Sequence, residues 1–201
     1  MKEIALEILV CIIAASIIMV IHELIKSIVY LFVRKVQRQP ASHNNSILAV
    51  WRYIDPLGIL LSVTSFVPFS KPHLFRIRDK KTNMILGVTG FSVIILLFVL
   101  SVAVLKTGCL GMDRLFNGDG IIAHSVSLFW QYMAVLSFGM FISNMFPIST
   151  FDMGLIIAGI SSKHYLRIIK ADSLIKLVFI LALMFDIIHY GSIKLLQLIL
   201  W

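Results

Sequence analysis

Residues 22–26 read His-Glu-Leu-Ile-Lys. The first two match the helical pattern His-Glu-x-x-His. In that pattern, histidines four residues apart bind zinc on one face and the glutamate activates the metal-bound water. At the fifth position, where the second His belongs, stands Lys26. Residues i and i+4 share a helix face, so His22 and Lys26 point the same way with Glu23 beside them. Catalytic zinc takes three protein ligands, and the third must come from elsewhere in the chain. Asp152 is the candidate, an acid in apolar sequence just past the break "NMFPIST" at residues 144–150. Zinc needs deprotonated ligands, and an ammonium has no lone pair to offer. Two readings of Lys26 stay open. As a neutral amine it could join a metal site. As a cation it replaces the metal and pairs with Asp152, or with Glu23 at i, i+3, neutralising carboxylates that are costly in a membrane.

The elements that hold these side chains are read from an apolar chain. Of 201 residues, 59% are hydrophobic and 14% charged, against roughly a quarter charged in soluble domains. Mean hydropathy is +0.97. Several apolar runs exceed the ~18 residues that cross a bilayer. The expected fold class is all-α: a polytopic membrane protein with about four spanning helices, a short re-entrant hairpin and a broken helix. One transmembrane domain covers residues 1–201, with no appended soluble domain. The first helix is expected from Ile4 to Val33 and is too long an apolar stretch for a cleaved signal peptide. "LGILLSVTSFVPF" (57–69), flanked by Pro56 and Pro68, has the length of a re-entrant segment. Spans follow at 84–105 and within 121–160, the latter broken at 144–150. A break at membrane depth must line an internal site, because free backbone groups cannot face lipid. A last helix is expected over 174–201.

The net charge of +8 sits in short connections: Arg34, Lys35 and Arg38; Lys71, Arg76, Arg78, Lys80 and Lys81; Lys163, Arg167, Lys170 and Lys176. This is a positive-inside pattern, and it places those connections in the cytoplasm and loop 106–120 outside. It does not indicate nucleic-acid binding, since no aromatic-rich soluble surface accompanies it. Cys11 and Cys109 suggest neither a disulfide scaffold nor a Cys-based metal site. Asp186 and His189, at i, i+3 on the last helix, are expected to pair with each other or a neighbouring helix. His43, His73, His124 and His164 are expected at solvent or lipid headgroups.

"HELIK" (22–26), "IDPLGILL" (54–61), "FVPFSKP" (66–72) and "NMFPISTFDMG" (144–154) occur in that order. Together they resemble the site-2 protease family of intramembrane zinc metalloproteases. The resemblance covers most of residues 15–160. It implies His22 and Asp152 as zinc ligands, Glu23 as the general base, and Asn144 and Pro147 as shapers of the segment that holds substrate. It also implies a multi-pass protein of a bacterial plasma membrane whose partner is a transmembrane peptide or protein. Three positions depart from the family pattern. Lys26 replaces the second His, "GFSVI" (90–94) has neither Pro nor Asn, and Met153 stands where a Gly is usual. The leading expectation is a catalytically impaired relative that binds a membrane-spanning partner in the old substrate cleft. The alternative is an active zinc endopeptidase cutting a membrane peptide or regulator, so the cofactor is zinc if the protein is active and none otherwise. A transporter is disfavoured by the motif order and by the lack of paired half-repeats.

Overall fold

The computed structural model describes residues 2–38, 49–71, 79–107 and 121–184, with isolated positions 190, 194, 197 and 198. Asp186, His189, His43, His73, Arg76, Arg78 and most of loop 106–120, Cys109 included, lie outside the described residues. The described chain is helical: α1 Lys2–Val36, a 3-10 turn Val50–Tyr53, α2 Pro56–Ser65, α3 Lys80–Thr107, α4 Ile121–Met145, α5 Asp152–Ile160 and α6 Ser162–Met184. Three of these, α1, α3 and α4, are long and apolar enough to cross a membrane.

α1 explains itself by periodicity. Val10, Cys11, Ala14, Ala15, Ile18, Met19, His22, Glu23, Lys26, Ser27 and Tyr30 are all buried, a single stripe at the three-to-four spacing of a helix face. Ile4, Ile8, Leu9, Ile12, Ile13, Ile28 and Phe32 on the other faces are exposed. Ala14 and Ala15 let α1 lie close to its neighbours, where Ile18 and Met19 meet Val93, Ile94 and Leu97 of α3 and Met133, Leu136 and Met140 of α4. Below this apolar layer come the charged residues, and below them Tyr30 packs with Leu86.

α2 is a short helix that turns back on itself. Asp55 accepts the Leu57 N–H at 2.9 Å and Pro56 takes the first helical position, both favoured start devices. Phe66, in the left-handed conformation at φ 54°, ends it, and the Val67 N–H reaches the Leu61 carbonyl. The chain then returns antiparallel to the helix, so that the Lys71 N–H donates to the Tyr53 carbonyl at 3.0 Å. Only glycine fits at position 58, because a Cβ there would lie 2.1 Å from the Phe69 carbonyl oxygen.

The broken helix lies where the sequence places it. α4 ends at Met145, residues 146–151 form tight turns, and α5 starts at Asp152. The last helix needs a correction. It begins at Ser162, not near 174, so Lys163, Arg167, Lys170 and Lys176 lie on helix and not in a loop. The break before it is a single extended residue, Ser161. An inward stripe of Tyr165, Ile168, Asp172, Ile175 and Phe179 carries helical spacing through the basic stretch. Asp172 accepts the Ser149 N–H at 3.1 Å, and Tyr165 donates to the Ser149 carbonyl at 3.4 Å. These bonds fix α6 to the turn that precedes α5.

Candidate functional site

His22, Glu23 and Lys26 from α1 meet Asp152 from α5, and each is at most 1% exposed. The four close a ring of alternating charge. His22 Nε2 lies 2.8 Å from Asp152 Oδ2. Asp152 Oδ1 accepts from Lys26 Nζ at 2.7 Å. Lys26 Nζ also donates to Glu23 Oε1 at 3.1 Å. Glu23 Oε1 lies 3.1 Å from His22 Nδ1. Both imidazole nitrogens thus face carboxylate oxygens, an arrangement that a doubly protonated ring satisfies as donor on each side. Ser70, from the segment returning past α2, adds a fifth member. Its hydroxyl donates to Glu23 Oε1 at 2.7 Å and lies 3.2 Å from His22 Nδ1.

Local structure delivers each group. Asp152 is the first residue of α5 and sits against α3, where Gly90 faces it. A Cβ on Gly90 would come within 2.3–2.5 Å of the Asp152 carboxylate atoms. Asn144, buried at the end of α4, spans the break: its amide donates to the Met140 carbonyl at 3.0 Å, and its oxygen accepts the Asp152 N–H at 3.3 Å. Asn144 therefore positions Asp152 directly. Pro147 is half-buried in the turn, next to Ile148, Thr150 and Phe151, which line a cavity of about 450 Å³. Leu57, Leu60 and Leu61 of α2, Phe69 and Ser70 of the return, and Lys176, Phe179, Ile180 and Leu183 of α6 form its other walls, with Asp55. The volume is in the range of small-ligand clefts. Ser70 joins this cleft to the ring.

The zinc expected from the resemblance does not fit this arrangement. His22 uses both nitrogens and Asp152 both oxygens within the ring. Lys26 fills the place of the second histidine with an ammonium, which donates only. A single candidate donor atom is left over, Glu23 Oε2, which is buried without a hydrogen-bond partner. One oxygen does not make the three-ligand set of a catalytic zinc.

Ser70 and Gly90 belong to the site and were not singled out from the sequence. The available signal for Ser70 was a small hydroxyl inside the apolar, proline-containing "FVPFSKP". Gly90 opens the segment "GFSVI" (90–94), whose departure from the family pattern carries no sign of a contact with Asp152. Comparison of the chain with protein-family models, with curated proteins and with solved structures gives no match.

Proposed function

We propose that this chain is a site-2-protease-like membrane protein without zinc chemistry, which binds a membrane-spanning partner in the cleft between α2 and α6. One observation carries the reading: the Lys26 ammonium lies between Asp152 Oδ1 and Glu23 Oε1 at 2.7 and 3.1 Å. A cation there does the electrostatic work of a metal. It neutralises two carboxylates inside an apolar bundle, yet it activates no water. In the same reading α6 forms the fourth span, the α2 hairpin dips into the bilayer without crossing it, and the basic ends face the cytoplasm of a bacterial cell.

The test is metal content. Wild-type protein purified from zinc-supplemented cells is expected to hold no stoichiometric zinc. Lys26→His is expected to gain zinc, because it supplies two His on one helix face with Asp152 as third ligand. The opposite result would be one tightly bound zinc in the wild type, with cleavage of a membrane peptide that Glu23→Gln abolishes. It would replace the binding role by that of an endopeptidase.

A further inference from the structure

The cleft between α2 and α6 has two charged side chains in its walls, Asp55 at the start of α2 and Lys176 on α6. Lys176 is balanced by Asp172, one helical turn before it. Asp55 is half-buried and makes no ion pair among the described residues. Its Oδ1 accepts the Leu57 N–H at 2.9 Å, and its other oxygen accepts no hydrogen bond from them. Capping needs an oxygen and not a charge, since Asn and Ser cap helices as well as Asp does. The α2 N-terminus favours an anion without cancelling it.

Depth makes that charge costly. Two residues before Asp55, the Tyr53 hydroxyl pairs with Ser27 of α1 at 2.8 Å. Three residues after it, Gly58 lies against the Met19 methyl. At 1.5 Å per residue, Ser27 and Met19 stand about 14 and 26 Å along α1 from its basic end at Val36. Asp55 therefore lies near the middle of a ~30 Å hydrocarbon core. Charged groups are rare at that level, are usually paired, and mark sites. The cleft supplies no cation for Asp55: Lys176 is already matched, and the other wall residues are Ser70, Thr150 and apolar side chains. We infer that the cleft recognises an apolar membrane-spanning segment with one basic side chain, Lys or Arg, near its middle, whose charge Asp55 neutralises. The inference rests on the cleft being the partner site and adds what the partner presents there. A phospholipid brings only acyl chain to this depth, because its headgroup stays at the membrane surface.

The experiment uses full-length protein in phosphatidylcholine vesicles, with a photocrosslinking residue, p-benzoylphenylalanine, at position 180. Ile180 lines the cleft and is half-exposed. Three probes are compared, Leu/Ala helices of about 20 residues with a central Lys, a central Gln or no polar residue, and yields are normalised to membrane-bound peptide. The Lys peptide is expected to crosslink about tenfold more efficiently than the other two, the scale of one hydrogen bond to a charged group. Asp55→Asn removes the charge and keeps a capping side chain. It is expected to abolish the Lys preference while the apolar peptide crosslinks as in wild type, which reports an intact cleft. Asp55→Ser, a second capping residue, is expected to behave in the same way. Equal crosslinking of the Lys and apolar peptides to wild type overturns the inference and leaves the cleft reading standing. So does a Gln peptide that matches the Lys peptide, or a Lys preference that survives both substitutions. If no peptide crosslinks to wild type, both the inference and the cleft reading fall.

Discussion

Lys26 is buried and its ammonium donates to two carboxylates; Lys176 is half-exposed and pairs with one, Asp172. The contrast sets the energetics. Removing one partner of a buried ion pair leaves an uncompensated charge and costs roughly 3–5 kcal/mol, whereas an exposed pair is worth about 0–1 kcal/mol. Lys26→Ala is therefore expected to lower stability by about 3–5 kcal/mol, and Lys176→Ala by less than about 1 kcal/mol, measured by denaturant unfolding in detergent. Equal effects would mean that the ring does not hold the fold. Gly90→Ala pushes a methyl into the Asp152 carboxylate and is expected to cost about 1–3 kcal/mol, as overpacking does. In the same assay Gly87→Ser tests whether this is peculiar to position 90, since its Cβ would meet the Ile156 side chain and the Asp152 backbone oxygen. Much of this was legible at the level of residue type. Charges in apolar sequence must converge, and His22, Glu23, Lys26 and Asp152 do. Ser70 was not legible, because a serine hydroxyl is cheap enough in a turn that nothing forces it to have a partner.

At the scale of elements, the helices follow from apolar runs and the breaks from prolines and Asp caps. The α6 start was missed for a physical reason. Its first half alternates bases with apolar residues, which reads as a loop by charge, while the inward stripe from Tyr165 to Phe179 makes it a helix by packing. Asn144 was expected to shape the substrate segment; its bonds show it bridging the break to Asp152, a role that depends on a contact eight residues away across non-helical chain. The start of α3 carries a titratable cap outside the bilayer-length helices. Asp79 accepts from the Thr82 hydroxyl and from Gln37 of the α1 end, and from the Lys81 and Thr82 N–H groups. These bonds, the Thr82 hydroxyl first, hold its carboxyl down at about 2 against an ordinary 3.8. A depressed carboxyl stabilises the fold above its unfolded value and loses that contribution as pH falls. Stability should thus decline between pH about 4 and about 2 by a component that Asp79→Ala removes. An unchanged pH slope in that variant would sink the assignment.

At the scale of the molecule, one end of the bundle gathers the bases. Gln37 at the end of α1 bonds Asp79 before α3, and Gly159 of α5 lies against the Lys80 carbonyl. The α6 start follows directly from α5. Arg34, Lys35, Lys80, Lys81 and Lys163 therefore share that end. Counting back along α1 from Val36 at 1.5 Å per residue puts Lys26 about 15 Å and His22 about 21 Å from it, near the middle of a ~30 Å hydrocarbon core. In a Cys11→Ser/Cys109→Ser background, cysteines at 81 and 163 are expected to react with membrane-impermeant reagent only after the cytoplasmic face is opened. A cysteine at 121 is expected to react in intact cells. Labelling of 81 and 121 from one side would overturn the span count. The ring also imposes an order on synthesis. Lys26 and Asp152 are 126 residues apart, so at 5–20 residues per second the ribosome makes Asp152 roughly 6–25 s after Lys26. Glu23 and Lys26 can neutralise one another within α1 during that interval, since they are one helical turn apart. The nascent protein thus inserts a helix in which Glu23 and Lys26 provisionally balance one another, and Asp152, made later, locks it into place.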